Sequence, residues 1–332
     1  TDNLVIEQFK FDTGGAHFFG QFQLSNFLRP KLSIAAKGQV PLSLIQAIYP
    51  LANVQELGGS AQLDVHAKMV QDQQNNWQTN EIKGRIGIKA AAVRFAAYQN
   101  GFRQVSATAS FDDQDLVIRD LKAKIGGSDL NLQLQIPNYL QQLSRDLPIQ
   151  LSGALHAQNL DFADFDTEST TQKRDWMLPQ QLMFALPFDI QQLRYENKEI
   201  NQVQGLLKLS KHELQLEELK FKHAQGYWNG ELQLYEQAPA SFEIATNGAA
   251  KKVDLGYLFK EWENFDQAIL TDEHLSGKGN FDFAVRTNYD YFKGLDEASL
   301  KVRVHCVLDN GRLLHAPILQ DLANTLTIGK GK

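Results

Sequence analysis

The chain of 332 residues contains a single cysteine, Cys306. One cysteine excludes an internal disulfide and a zinc site built from cysteines, and it is compatible with the cytosol or the periplasm. No run of 18 apolar residues occurs, so we expect no helix of this sequence to span a membrane. The chain has no basic-then-apolar leader, does not begin with Met, and starts and stops within its own pattern. We therefore expect it to be a piece of a longer protein.

Charged residues are also few, at 22% of the chain, and no basic excess exists, because the formal net charge is −6. Binding to nucleic acid relies on a basic surface that displaces counterions from phosphates, so a nucleic-acid partner is not expected. The hydrophobic fraction of 43%, with 20 Phe, is typical of a folded chain with a large core.

Signatures of catalysis or metal binding are missing as well. The eight histidines include no pair at i and i+4, so we expect no metal ion and no cofactor. Asp161, Asp164 and Asp166 could act as paired carboxylates in glycoside cleavage, but a helix cap and a turn explain them better. Ser60 and Ser128 follow Gly-Gly without forming the nucleophile motif G-x-S-x-G. We expect no catalytic residue and no enzyme.

What the sequence does contain is a repeat. Residues 4–28 and 116–140 share ten identities over 25 positions at an offset of 112, and a looser match to 214–234 follows at an offset of 210. A period of roughly 100 residues favours one continuous body of stacked units over separate domains. We place the units at about 1–111, 112–209 and 210–332.

Within each unit, short strands alternate with turns and one short helix. The Gly-Gly pairs at 14–15 and 126–127 predict tight hairpin turns, which require positive φ. Three strands are expected between Ile82 and Phe111, namely 82–89, 92–98 and 102–111. Helices are expected at 41–51, 253–262 and 313–326, where apolar residues recur at helical spacing.

The strands alternate apolar and polar residues, which is typical of an antiparallel sheet with one solvated face. So few short helices cannot cover a sheet of this size, so the apolar face must meet a second sheet, the same sheet closed on itself, or a ligand. The predicted fold class is mainly β: a long curved antiparallel sheet, either an open trough or a taco-like roll, with short amphipathic helices.

The candidate site is the apolar face of this sheet. Ten side chains, none of them charged, are predicted to line a groove on this face: Phe18, Phe22, Leu24, Leu130, Leu132, Leu134, Ile136, Trp228, Leu232 and Leu234. The glutamines at 21, 23, 133, 135 and 233 are expected on the opposite face. The alternative is that the same apolar residues form the core of a β-sandwich.

The sequences of several segments resemble those of one protein family. These are "PIQLSGALHAQNLDFADF" at 148–165, "QELGGSAQLDVHAKM" at 55–69 and "DNGRLLHAPILQDLA" at 309–323. With the repeated hairpin, strand and short helix, they resemble the AsmA-like family of bacterial envelope proteins. The resemblance implies a β-groove in the periplasm, an inner-membrane anchor outside this chain, and a role in moving phospholipid or keeping the lipid balance of the outer membrane.

Two functions of different classes remain open. One is a lipid-binding groove without chemistry of its own, whose partners are phospholipids or other acyl-chain lipids and which contacts membranes through parts absent from this sequence. The other is a structural or adaptor module for envelope assembly. A conduit leaves a continuous apolar face uncovered, whereas an adaptor is dry and closed.

Overall fold

The structure is a computed structural model that describes residues 2–48, 53–96, 100–145, 147–165, 177–266, 268 and 271–313. The chain divides into two compact units. Unit 1 comprises Thr1–Arg174, Pro179–Phe188 and Leu209–Lys211. Unit 2 comprises Asp175–Leu178, Asp189–Lys208 and His212–Lys332.

The predicted fold class is confirmed: among the described residues, 74% lie in strands, the strands pair mostly antiparallel, and the helices are few and short. The strands are β1 Asn3–Thr13, β2 Ala16–Ser25, β3 Lys31–Pro41, β4 Val54–Gln71, β5 Trp77–Phe95, β6 Phe102–Phe111, β7 Asp115–Ile125, β8 Ser128–Pro137, β9 Ile149–Asp161, β10 Leu182–Tyr195, β11 Lys198–Ser210, β12 Glu213–His223, β13 Gly226–Ala238, β14 Ser241–Asp254, β15 Leu275–Asp290 and β16 Gly294–Leu313. The helices are α1 Leu42–Ile48, α2 Tyr139–Ser144 and α3 Leu255–Glu261, with 3-10 turns at Phe162–Phe165 and Glu263–Asp266.

Neighbours in the sequence are neighbours in the sheet. In unit 1, each strand from β1 to β8 pairs antiparallel with the next one, as far as β9. In unit 2, the same holds from β12 to β16. Where a two-residue turn joins successive strands, as between β7 and β8, only antiparallel pairing is possible.

The matched segments of the repeat form three hairpins with one register. Leu4 pairs with Leu24 in β1–β2, Leu116 with Ile136 in β7–β8, and Leu214 with Leu234 in β12–β13. The register then shifts by one residue, as a β-bulge, at the same place in all three: Ile6/Phe9, Ile118/Leu121 and Leu216/Leu219. The three hairpins are therefore equivalent. The boundaries between the three sequence repeats, placed at 111 and 209, stay a prediction.

The tight turns at both Gly-Gly pairs are confirmed. Gly14, Gly15 and Gly126 have positive φ, which costs glycine nothing. The third hairpin turns at Ala224–Gln225, where φ is 47° and 61° without any glycine. We call the strand ends that carry these turns the turn end of each unit's sheet.

The structure confirms two of the predicted helices and contradicts one prediction about strands. Helices at 41–51 and 253–262 are confirmed as α1 and α3. The prediction of three strands between Ile82 and Phe111 is wrong, because β5 continues through a bulge at Ala90, whose φ is 48°. Helix α2 was not predicted. The helix expected at 313–326 lies outside the described residues apart from residue 313.

Candidate functional site

The register of unit 1 aligns apolar side chains into rows that cross nine strands. Side chains on one face of a sheet recur every second residue, and directly paired residues share a face. The central row contains no polar residue: Phe11, Phe18, Gly38, Leu63, Ile86, Ala109, Ile118, Leu134 and Gly153. We call this side of unit 1 the apolar face.

The opposite side carries the polar partners of the same strands, and we call it the polar face. Its matching row runs over Lys10, Phe19, Lys37, Asp64, Arg85, Ser110, Val117, Gln135 and Ser152. Two ion pairs link its strands, between Lys37 and Asp64 at 3.2 Å and between Lys68 and Glu81 at 2.6 Å. Hydrogen bonds from Lys68 and Lys83 hold the pKa of Glu81 below its usual range.

All ten predicted groove residues lie on the apolar side of their own unit. Seven belong to unit 1 and three to unit 2, and the glutamines predicted to face outward lie on the polar side. Each of the ten side chains is half-buried. Their contact with lipid remains a prediction.

Aromatic rings on the apolar sides of both units lie across glycines of the neighbouring strand. A β-carbon at Gly38 would lie 2.7 Å from the Phe18 ring, and one at Gly248 would lie 2.9 Å from the Phe283 ring. Rings can approach the backbone so closely only because glycine leaves the space, an arrangement known to stabilise sheets. The rings therefore lie low on the sheet and present broad apolar surface.

Helices α1 and α3 cover the apolar sides of units 1 and 2 at their turn ends. In unit 1, Leu42 of α1 is buried with Val40 and Ala61, and Phe18 packs against this cluster. In unit 2, Leu258 of α3 is buried with Ala224, Ala250 and Val253, and Trp228 packs there. Phe18 and Trp228 therefore belong to helix-covered ends.

The apolar side of unit 2 includes polar groups that the sequence did not reveal. Thr246 and Thr287 lie in its rows, and Thr287 is 4% exposed and bonded to Ser299. The carboxylate of Glu236 is 3% exposed and lies 3.3 Å from Nδ1 of His212. Cys306 pairs with Phe281 on this side, and burial raises the pKa of its thiol.

A polar cluster fastens α3 to the turn end of unit 2. The indole Nε1–H of Trp262 donates to Nε2 of His223 at 2.9 Å, so the imidazole proton lies on Nδ1, 3.0 Å from the carbonyl oxygen of Glu199. The Lys198 ammonium lies 5.0 Å from the Trp262 ring centre, and its hydrogen bond to Glu196 raises its pKa. No spacing rule pointed to this cluster.

A different polar anchor replaces it in unit 1. The Asp164 carboxylate accepts hydrogen bonds from the backbone N–H groups of Gly127 and Ser128, each at 2.9 Å, and from the Ser128 hydroxyl at 2.7 Å. Asp161 accepts from the N–H of Ala163, as a turn residue does. Asp161 therefore caps the 3-10 turn at Phe162–Phe165, as predicted. Asp164 lies inside that turn and binds the hairpin turn instead, and Asp166 lies outside the described residues.

A hollow of about 890 Å³ lies over β1 to β4 of unit 1. Most of its side chains belong to the polar face, including Phe19, Gln21, Lys37, Asp64 and His66. Among the described residues, no group of three His, Cys, Asp or Glu side chains is placed to bind a metal ion.

Comparison of the chain with protein-family models, with curated proteins and with solved structures finds no match. The resemblance to the AsmA-like family therefore stays a prediction based on the segments quoted above. In the part of the chain that the structure describes, no helix is long and apolar enough to cross a membrane.

Proposed function

We propose that this chain is a segment of a periplasmic lipid-binding groove that carries phospholipid between the inner and outer membranes. It has no chemistry of its own. The observation that carries the proposal is the row of apolar residues crossing nine strands of unit 1, from Phe11 to Gly153, whose larger side chains stay half-exposed or exposed.

An acyl chain fits such a surface because apolar area alone satisfies it, at about 0.8 kcal/mol per buried methylene. Transport favours many modest contacts over one tight site. The strands of unit 1 make their extensive contacts with sheet neighbours and the short helices, and no second sheet packs on the apolar face among the described residues of this unit.

The alternative is a structural or adaptor module for envelope assembly. It requires the apolar face to be dry and closed by protein. Half-burial of Phe22, Leu132 and Leu134 favours the groove over this alternative.

The test places a photo-crosslinking residue at Leu132 in cells with a two-membrane envelope and looks for covalently captured phospholipid. Gln133 is the matched control, since its side chain lies on the polar face one residue away. We expect capture at 132 and none at 133. Equal capture at both, or none at 132, contradicts the proposal and favours the adaptor.

A second variant blocks the path. Leu134→Asp places a carboxylate in the central row, where its desolvation disfavours passage of an acyl chain, so capture at 132 should fall. Leu134→Phe keeps the face apolar and should keep capture. Circular dichroism confirms that each variant is folded, and undiminished capture in the Asp variant contradicts a continuous lipid path.

A further inference from the structure

Six cationic side chains lie together on the polar face of unit 1. All six are exposed, and we call them the basic patch: Arg85 and Lys89 of β5, Arg103 of β6, and Arg119, Lys122 and Lys124 of β7. The grouping stands out in a chain whose net charge is −6.

The register of three adjacent strands brings these residues together. Arg103 lies directly opposite Lys124, while Lys122 and Arg119 lie opposite Ser106 and Thr108. Like charges in directly opposed positions destabilise a sheet. The array therefore holds unfavourable repulsion that an external anion can relieve.

The protein itself does little to neutralise the patch. In the described part of the chain, none of the six side chains makes an ion pair or a hydrogen bond. Asp64, opposite Arg85, is paired with Lys37 at 3.2 Å. Asp129, opposite Lys124, accepts N–H groups of β9 at 2.7 and 3.2 Å.

A third acidic side chain also lies beside the patch. Asp120 is exposed in the bulge beside Arg119. It offsets one of the six charges, so a clear positive excess remains.

The surroundings of the patch indicate its partner. Its neighbours include hydroxyls and amides, such as Ser106, Thr108 and Asn131, and none of the exposed large apolar side chains lies on β6, β7 or β8. A protein interface has an apolar or aromatic centre, and single-stranded nucleic acid stacks on aromatic rings. Anionic lipid headgroups need only an array of cations.

We propose that the basic patch docks unit 1 on the anionic headgroups of a lipid bilayer. The docking uses charge without insertion, and it leaves the apolar face free on the other side of the sheet. This inference goes beyond the proposed function and does not depend on it, because acyl-chain binding and headgroup docking use opposite faces.

The test measures binding of the whole chain to vesicles of phosphatidylcholine alone or mixed with phosphatidylglycerol. We expect binding only to the mixed vesicles, and a steep loss as the salt concentration rises from about 0.05 to about 0.3 M, which shortens the screening length. Each cation near such a surface contributes about a fivefold factor in affinity, so Lys122→Glu with Lys124→Glu should weaken binding at least about 25-fold.

The repeat supplies a matched control. Lys220 and Lys222 of β12 occupy the positions of Lys122 and Lys124 in the equivalent hairpin. Near them, Glu217 is paired with Lys208 at 2.6 Å, and Lys222 lies over the Tyr227 ring. Reversing Lys220 and Lys222 changes the net charge equally and should weaken binding less than about threefold, because these two lysines do not belong to the basic patch.

Several results overturn the proposal. These are no binding to the mixed vesicles, equal losses in the two double variants, or tighter patch-dependent binding to duplex DNA than to vesicles at the same salt concentration. The double variant Lys122→Gln with Lys124→Gln removes the two charges without reversing them, so it controls for misfolding. Its affinity for the mixed vesicles should fall about fivefold per site. Lipid capture at Leu132 should persist in every patch variant, so failure of docking is distinguishable from failure of the groove.

Discussion

The hairpins β7–β8 and β12–β13 have the same register and the same bulge, yet their turns are supported in different ways. The turn of β7–β8 consists of Gly126–Gly127 and is held by the carboxylate of Asp164. The turn of β12–β13 has no glycine in its two-residue loop, and Ala224 is buried beneath α3. The frame of the hairpin therefore comes from strand pairing and the bulge, while each turn is stabilised by whatever local contacts its own helix provides.

Removing the apolar support in unit 2 should have the largest effect. Leu258 is 6% exposed and packs with Ala224 and Val253, so Leu258→Ala leaves a cavity and should lower the free energy of unfolding by about 3 kcal/mol. Urea unfolding measures the change, with Lys260→Ala on the exposed side of α3 as control. Equal effects of the two variants would show that α3 does not support this turn.

Removing the polar support in unit 1 should cost less. Asp164→Ala deletes three hydrogen bonds to a carboxylate and leaves the buried Ser128 hydroxyl without its acceptor, for a loss of about 2 kcal/mol. Amide exchange at Gly127 and Ser128 should accelerate as well. Asp164→Asn keeps a side-chain acceptor and should lose about half as much; an Asn variant as unstable as the Ala variant contradicts this account.

Exchanging the turn residues gives the smallest expected effect. Gln225 is exposed with φ at 61°, so Gln225→Gly should stabilise the hairpin by about 1 kcal/mol, because glycine adopts the left-handed region without steric cost. The reverse change, Gly126→Ala, should destabilise, since its β-carbon would lie 1.8 Å from a carboxylate oxygen of Asp164. Thermal unfolding compares the two variants, and shifts in the same direction would refute the distinction between the turns.

The repeat and the alternation of apolar and polar residues were enough to predict the three hairpins, the turns at the glycine pairs and helices α1 and α3. The sequence analysis missed features that depend on residues other than glycine adopting the left-handed backbone conformation. Ala90 lies in a bulge where a strand break was expected, and Asn138, with φ at 51°, precedes the unpredicted helix α2.

Contacts between distant residues were also beyond the sequence patterns. Asp164 reaches Ser128 across 36 residues and Trp262 reaches His223 across 39, and no local spacing encodes such pairs. The ten predicted groove residues were found on the expected side because face assignment needs only a period of two. The helix cover over Phe18 and Trp228 depends on packing and could not be predicted in the same way.

The bulge shared by the three hairpins also determines where the chain can change in length. In β7, two residues, Arg119 and Asp120, lie opposite one residue of β8, so deleting either leaves an ordinary one-to-one ladder. A deletion elsewhere in β7 would move the following side chains to the wrong face. Each hairpin thus has one position at which evolution or an engineer can shorten the strand while every apolar side chain keeps its side of the sheet.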